Sequence, residues 1–312
     1  MRIWFFGSGG FAARCLAFMA PELHFERVVT GFPTRSGRGL KERPLPVEEI
    51  ALSLGLPLER TGPLSENEPL LRALSDPPDV IFVVDFAQKI REPFLSAPQN
   101  GCLNIHPSLL PKWRGAAPVA RSLMNGDSET GVTIFRLVEQ MDAGPILLRK
   151  SLPLSLENTS GEVMELLSEY GAQIAVYGVK SILEGTIKGT NPFQEQDHAS
   201  ATYAPKIEKS EAEVSWNRPA LEVHNLIRAL SLSPGAFVPW RGRRLKLWKA
   251  HPVSDGSALQ TPGQVIGFEE RFPVVACTEG ALRLEVVQQE GKRALSGAEW
   301  ARGIRLKEGD AL

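Results

Sequence analysis

Residues 102–118 read CLNIHPSLLPKWRGAAP, and near the end of the apolar run they place Asn104 and His106 on either side of Ile105. Successive strand side chains point to opposite faces, so Asn104 and His106 share one face and Ile105 takes the other. An amide and an imidazole aimed at one spot suit a reaction in which negative charge develops on oxygen. The amide donates a hydrogen bond to a carbonyl, and the imidazole either stabilises the oxyanion as imidazolium or moves a proton. Pro107 and Pro111 stiffen the backbone on both sides of Ser108-Leu109-Leu110 and hold that turn against the same spot. A partly buried imidazolium calls for a carboxylate, and Asp142, in the turn of QMDAGPIL (140–147), is the candidate. Each piece alone also reads as structure: a hydrogen-bonded histidine at a strand end, and an aspartate doing ordinary turn chemistry before Gly-Pro. The case for catalysis rests on the constellation.

Such residues need a scaffold. RIWFFG (2–7), RVVTGF (27–32), PDVIFVVDF (78–86) and GCLNIH (101–106) read as buried strands, alternating with helical stretches such as FAARCLAFMA (11–20) and VEEIALSLG (47–55). That alternation predicts a Rossmann-like α/β domain, a parallel sheet covered on both faces, whose strand carboxyl ends open on a ligand crevice. APVARSLMNG (117–126) reads as a further helix, and GVTIFRLV (131–138) and PILLRKSLPL (145–154) as a sheet extension. Residues 159–185 read as a long helix with Thr159 or Ser160 as its cap. After about residue 190 the chain turns polar. A helix over 218–230 then precedes AFVPW, RRLKLWKA, GQVIGF, PVVACT and ALRLEVV, short strands that predict a small OB-like β-barrel. The expected division is an α/β domain over 1–189, a linker over 190–207 and the barrel domain over 208–312.

The 312-residue chain is 43% hydrophobic and 23% charged, with a formal net charge of −1. It therefore has no global attraction for nucleic acid or membrane, and a polyanion must be met by local patches. Two exist: Arg35, Arg38, Lys41 and Arg43 in the loop 33–46, and Arg241, Arg243, Arg244, Lys246 and Lys249 in RGRRLKLWK. Either also reads as a solvated face. Strand alternation in the second puts Arg243, Leu245 and Leu247 on one side and Arg244, Lys246 and Trp248 on the other. Cys15, Cys102 and Cys277 are too scattered for a disulfide framework or a metal spacing, which fits a reducing cytoplasm. The opening MRIWFFGSGG is too short an apolar run for a signal peptide, and no stretch approaches a membrane span.

LNIHPSLLPKWRGAAP, NGDSETGVTIFRLVEQMDAGPIL and TYAPKIEKSEAEVSW together resemble the folate-dependent formyltransferases, over nearly the whole chain. The resemblance implies transfer of the formyl group of 10-formyltetrahydrofolate to the α-amine of methionyl initiator tRNA, in support of translation initiation, with no metal. It implies that Asn104, His106 and Asp142 are catalytic, and that Ser108, Leu109, Leu110, Pro111, Phe86, Gln88 and Ile90 bind folate. It assigns tRNA contacts to Arg38, Lys41, Arg243, Arg244 and Lys246, and it implies a cytoplasmic monomer. Trp113 and Arg114 would shape the acceptor entrance, with core packing an equal alternative for Trp113. RGAAP and the full-length second domain favour a tRNA acceptor over a sugar-nucleotide amine and over the hydrolase domain of formyltetrahydrofolate dehydrogenase, and the second domain also counts against glycinamide ribonucleotide. A non-catalytic RNA-binding protein on this scaffold would have no use for the three polar residues together. Three places depart from the family pattern: GSGGF (7–11) stands where Gly-Thr-Pro-x-Phe is usual, Asp85-Phe86 where Ala-Tyr is usual, and the loop GFPTRSGRGLKERPLP (31–46) keeps Gly-Arg-Gly but lacks the acidic residue usual earlier in it.

Overall fold

Strands buried on both faces carry the amino-terminal half. The computed structural model describes residues 1–36, 41–183, 192–231, 233–253 and 260–312. In chain order, β1 (Ile3–Gly7) turns into α1 (Gly10–Met19), and β2 (Phe25–Gly31) precedes the short hairpin of β3 (Thr34–Ser36) and β4 (Lys41–Arg43). Then come α2 (Pro46–Ser53), β5 (Leu58–Thr61), α3 (Glu68–Ala73), β6 (Val80–Val84), β7 (Cys102–His106) and the two-residue β8 (Arg114–Gly115). After α4 (Pro118–Asn125) follow β9 (Glu129–Arg136), β10 (Ile146–Pro153), α5 (Ser160–Leu183) and β11 (Tyr203–Ala204). All five residues of β1 and of β6 are buried, as their unbroken apolar runs require.

The seven-stranded sheet has the order β10-β9-β7-β6-β1-β2-β5. The five strands β7, β6, β1, β2 and β5 are parallel, and β9 and β10 extend the sheet antiparallel. The chain leaves β1 toward β2 on one side and returns to β6 on the other. The crevice outside the carboxyl ends of β1 and β6 is thus the topological switch point where open α/β sheets bind ligands. β7 lies beside β6 with Val83 opposite Asn104, so the polar pair borders that crevice. On the same sheet face Trp4, Phe6, Ile81, Val83 and Cys102 pack under Leu64, Leu70, Ile90 and Phe94. Burying each such large side chain stabilises the unit by about 1.5–3 kcal/mol. The elements β5 and α3 were not anticipated: LERT and EPLLRA are too short and mixed to show a period.

Cα proximity divides the chain into two compact units that interleave in sequence. The first is Met1–Gly115, Glu129–Pro153 and Met164–Tyr203; the second is Ala116–Ser128, Leu154–Val163 and Ala204–Leu312. The second unit contains α6 (Ala220–Ala229), β12 (Ala236–Trp240), β13 (Arg243–Val253), β14 (Val265–Glu269), β15 (Phe272–Ala276), β16 (Ala281–Gln289), β17 (Leu295–Ser296) and α7 (Gly297–Ile304). Its sheet is antiparallel, in the order β12-β13-β16-β15-β14 with β17 on β16. Leu245 and Leu247 are fully buried, and with Val275, Leu282 and Leu284 they pack against Val223, Ile227 and Leu230 and against Trp300. That helix α7 was also unforeseen. Ser296 and Glu299 form its capping box, but its short sequence carries one large apolar anchor, Trp300, and so no readable stripe. Thr159 does cap α5 as expected: its N–H donates to the Glu162 carboxylate at 2.9 Å, and the Glu162 N–H donates to Thr159 Oγ1 at 3.4 Å. Among the described residues no helix is long and apolar enough to cross a membrane.

Candidate active site

β7 hands over at His106 to a loop whose polar groups are engaged within the fold. Ser108, fully buried, donates from Oγ to the Lys112 carbonyl at 2.7 Å. Thr133 of β9 donates to Ser108 O at 2.6 Å and accepts the Leu110 N–H at 3.1 Å. Arg149 of β10 donates to Leu110 O at 3.0 Å. The Leu110–Pro111 peptide is cis. The loop is therefore laced to the two antiparallel strands.

His106 is 5% exposed and packs edge-on against Phe135. Its Nε2 donates to the Trp113 carbonyl at 3.0 Å, which orients the ring and leaves Nδ1 on the other side. Nδ1 lies 3.9 Å from Asp142 Oδ2, too long for a hydrogen bond but close enough for strong attraction once the ring is charged. Backbone, rather than the carboxylate, thus fixes the imidazole. Asn104 is half-buried, and its side-chain amide has no hydrogen-bond partner among the described residues. A strand-end amide with unfilled donors beside an imidazole is what an oxyanion site requires.

Asp142 takes a left-handed φ of 50°. Its Oδ2 accepts the Gly115 N–H at 2.8 Å. Two residues on, a Cβ at Gly144 would lie 1.9 Å from the Arg136 carbonyl, so only glycine permits this turn to sit so close to β9. The turn is held from outside by Gln196, which donates through Nε2 to Asp142 O at 2.9 Å and Gly144 O at 2.6 Å. Gln196 Oε1 accepts from Arg114 at 2.7 and 3.3 Å, and Arg114 also donates to His198 Nδ1 at 3.0 Å. Arg114 is 2% exposed. The expectation that it lines an acceptor entrance is corrected: its guanidinium is engaged inside the unit. Trp113 is half-buried, with a left-handed φ of 62°. Gln196 was missed because it sits in a polar stretch with no period, where nothing local marks one amide from another.

The expected folate residues divide by depth. Leu109, Pro111, Phe86 and Gln88 are half-buried, whereas Ser108, Leu110 and Ile90 are buried. Phe86 packs on Phe6 with ring centroids 5.6 Å apart. Gln88 bridges its own chain, accepting the Leu64 N–H at 3.0 Å and donating to Gly62 O at 2.7 Å.

Two of the departures from the family pattern meet in space. The Asp85 carbonyl accepts the N–H groups of Ser8 and Gly9, both at 3.1 Å, and a Cβ on Gly9 would lie 1.8 Å from Asp85 Oδ2. A proline at position 9 would force the Asp85 carboxylate to turn away and would lose the N–H that Gly9 gives the Asp85 carbonyl. Asp85 as a residue is exposed, but protein packed near its carboxyl group partly strips it of water and raises it above the usual carboxylate range, opposed by the Phe11 backbone N–H at the start of α1.

For the candidate RNA contacts, Arg38 lies outside the described residues, and Lys41 opens β4. Arg243 and Arg244 are exposed on β13, with Arg244 stacked 4.5 Å over the Phe237 ring. Lys246 is half-buried, donating to Pro234 O at 2.6 Å and lying 4.9 Å over Trp248. The expected alternation holds: Leu245 and Leu247 face the core while Arg244 and Lys246 face outward.

Residues 1–178 match the family described as Formyl transferase, and residues 206–305 match Formyl transferase, C-terminal domain. The methionyl-tRNA formyltransferase of Moorella thermoacetica is 37% identical over 315 residues, covering 100% of this chain and 99% of its own length. The enzyme of the same name from Paracoccus denitrificans is 37% identical over 309 residues, with 99% of each covered. Among solved structures, HypX from Aquifex aeolicus in complex with tetrahydrofolic acid gives a TM-score of 0.60 at 18% identity, covering 100% of this chain and 49% of that one. WlaRD, a sugar 3N-formyl transferase, gives 0.62 at 18% identity, covering 94% and 99%. At such identities the solved structures speak for the fold, while the sequence matches carry the membership. The chain belongs to the formyl transferase family.

Proposed function

We propose that the chain transfers the formyl group of 10-formyltetrahydrofolate to the α-amine of methionyl initiator tRNA. The observation that carries this reading is the strand-end pair itself: an unpartnered Asn104 amide beside a His106 ring whose Nδ1 faces Asp142. The full-length relatives that bear this activity in their names support the choice of acceptor.

The neutral amine attacks the formyl carbon, the new C–N bond forms, and the carbonyl electron pair moves to oxygen. The Asn104 amide donates to that oxyanion. His106, held at Nε2 by the Trp113 carbonyl, presents Nδ1 to take the proton from nitrogen, and Asp142 favours the resulting imidazolium. The oxyanion collapses, the bond to the folate nitrogen breaks, and the His106 imidazolium returns its proton to that nitrogen as it leaves. Leu109, Pro111, Phe86 and Gln88 form the folate wall in this reading, with Ser108, Leu110 and Ile90 supporting it. Residues 1–189 carry the chemistry, 190–207 link, and 208–312 bind tRNA through Arg243, Arg244 and Lys246, joined by Arg38 and Lys41 of the first domain. The protein acts as a monomer in the cytoplasm.

The test is formyl transfer to charged initiator tRNA measured beside elongator tRNA, a sugar-nucleotide amine and water. Transfer confined to the initiator supports the proposal. A preference for the sugar amine or for water would replace it.

A further inference from the structure

We propose that Gln196 is a positioning residue for Asp142, an inference that rests on the formyl-transfer reading of the site. Gln196 lies between the two matched family spans, which end at residue 178 and resume at residue 206. It is nonetheless 6% exposed, while its neighbours Glu195 and Asp197 are exposed. A primary amide offers two donors and one acceptor site on each of two lone pairs. Both donors go to carbonyls of one turn, Asp142 O at 2.9 Å and Gly144 O at 2.6 Å. The acceptor goes to Arg114, at 2.7 and 3.3 Å.

These contacts close a ring around the carboxylate. Gln196 holds the main chain of Asp142, and it holds the side chain of Arg114. The residue after Arg114, Gly115, gives its N–H to Asp142 Oδ2 at 2.8 Å. Backbone and carboxylate of Asp142 are thereby fixed from the same source. These contacts also hold Asp142 at a φ of 50°, a region uncommon for non-glycine residues that aspartate enters more readily than most. An arginine can only donate, so the His198 Nδ1 that receives Arg114 at 3.0 Å acts as acceptor and adds a second anchor to the guanidinium. A carboxylate displaced by about 1 Å from its working geometry can cost roughly a hundredfold in rate. The geometry assigns Gln196 that task.

Two variants test it. Gln196→Glu keeps the size and gives Arg114 an acceptor, but it removes both donors to the Asp142–Gly144 turn. Gln196→Met keeps the length without any polar group. In steady-state formyl transfer to methionyl initiator tRNA, both should lose roughly 10- to 100-fold in kcat, with KM for folate and tRNA within about twofold. The Gly115 amide proton, followed by NMR, should move in Gln196→Glu as its bond to Asp142 is disturbed. His106→Ala is measured alongside. Near-native kcat in both Gln196 variants, with turnover lost in His106→Ala, overturns the inference and leaves the formyl-transfer reading standing. Normal transfer by His106→Ala instead overturns the reading of the site. A kcat loss that tracks unfolding, with an unmoved Gly115 resonance in the folded fraction, assigns Gln196 a structural role only and also overturns the inference.

Discussion

Each unit buries a cluster of polar side chains, and the two clusters finish differently. In the second unit His224, 3% exposed, has Nδ1 3.0 Å from Ala250 O and Nε2 2.8 Å from Leu156 O. Arg228, 4% exposed, donates to Asn225 Oδ1 at 2.8 Å and Ser155 O at 2.7 Å. Both ring nitrogens of His224 thus face carbonyl oxygens, so neither is open to a ligand, although the neutral ring carries one N–H and donates to only one of them. In the first unit the surrounding bonds are equally dense, but they stop short of the centre. Asn104 has no partner among the described residues, and His106 Nδ1 and Asp142 Oδ2 face each other at 3.9 Å without bonding. A buried polar cluster is structural when its bonding capacity is filled, and a reaction site when capacity remains around a gap.

That comparison breaks first at its centre. Asn104→Ala should lower turnover by roughly two to three orders of magnitude, as losing one oxyanion donor does, and His106→Ala by roughly two to four, as losing a general base does. Folate affinity, read by fluorescence, should stay near native. Turnover close to native in either variant would take that residue out of the mechanism.

In the second cluster the loss should be of stability. Arg228→Met leaves Ser155 O and Asn225 Oδ1 without their donor and should cost about 1–3 kcal/mol in urea unfolding. Turnover per folded molecule should be unchanged; a large drop there would mean that the filled cluster also serves the chemistry.

A smaller effect is expected from pH. Burial lowers the His224 imidazole below its ordinary value of 6.5, the Leu156 and Ala250 carbonyls oppose this, and the Arg228 and His251 charges reinforce it. The folded state therefore binds this proton less readily than the unfolded chain. The contribution of neutral His224 is fully present above about pH 6.5 and is lost as pH falls through the lower folded value. Urea midpoints of the native protein and His224→Gln, compared from pH 8 to 5, should converge toward acid. Parallel curves would mean that His224 does not titrate between the two states.

The smallest effect concerns the exposed arginines of β13. If Arg243 and Arg244 contact phosphate, each alanine replacement should reduce the log–log salt slope of tRNA binding by roughly 0.7–0.9. An unaltered slope would make that edge an ordinary solvated face.

Much of the first unit was legible in the chain. Continuous apolar runs marked β1, β6 and β7, and period two alone placed Asn104 and His106 on one face. In β13 the same period separated Leu245 and Leu247 from Arg244 and Lys246. Short, mixed elements were silent: β5, α3 and α7 have too few turns or alternations for their neighbours to announce them.

Local pattern thus determined which way side chains point and which residue types stand together, because face and period are properties of adjacent residues. Tertiary structure alone decided what each polar atom touches. It gave His106 Nε2 to the Trp113 carbonyl, set Asp142 at ion-pair rather than hydrogen-bond distance, and turned Arg114 inward onto Gln196. It also joined Gly9 to Asp85, two departures that read separately along the chain. Hydrogen bonds between segments far apart in sequence depend on distances of a few tenths of an ångström, which no residue period encodes and only the packed sheet and its loops impose.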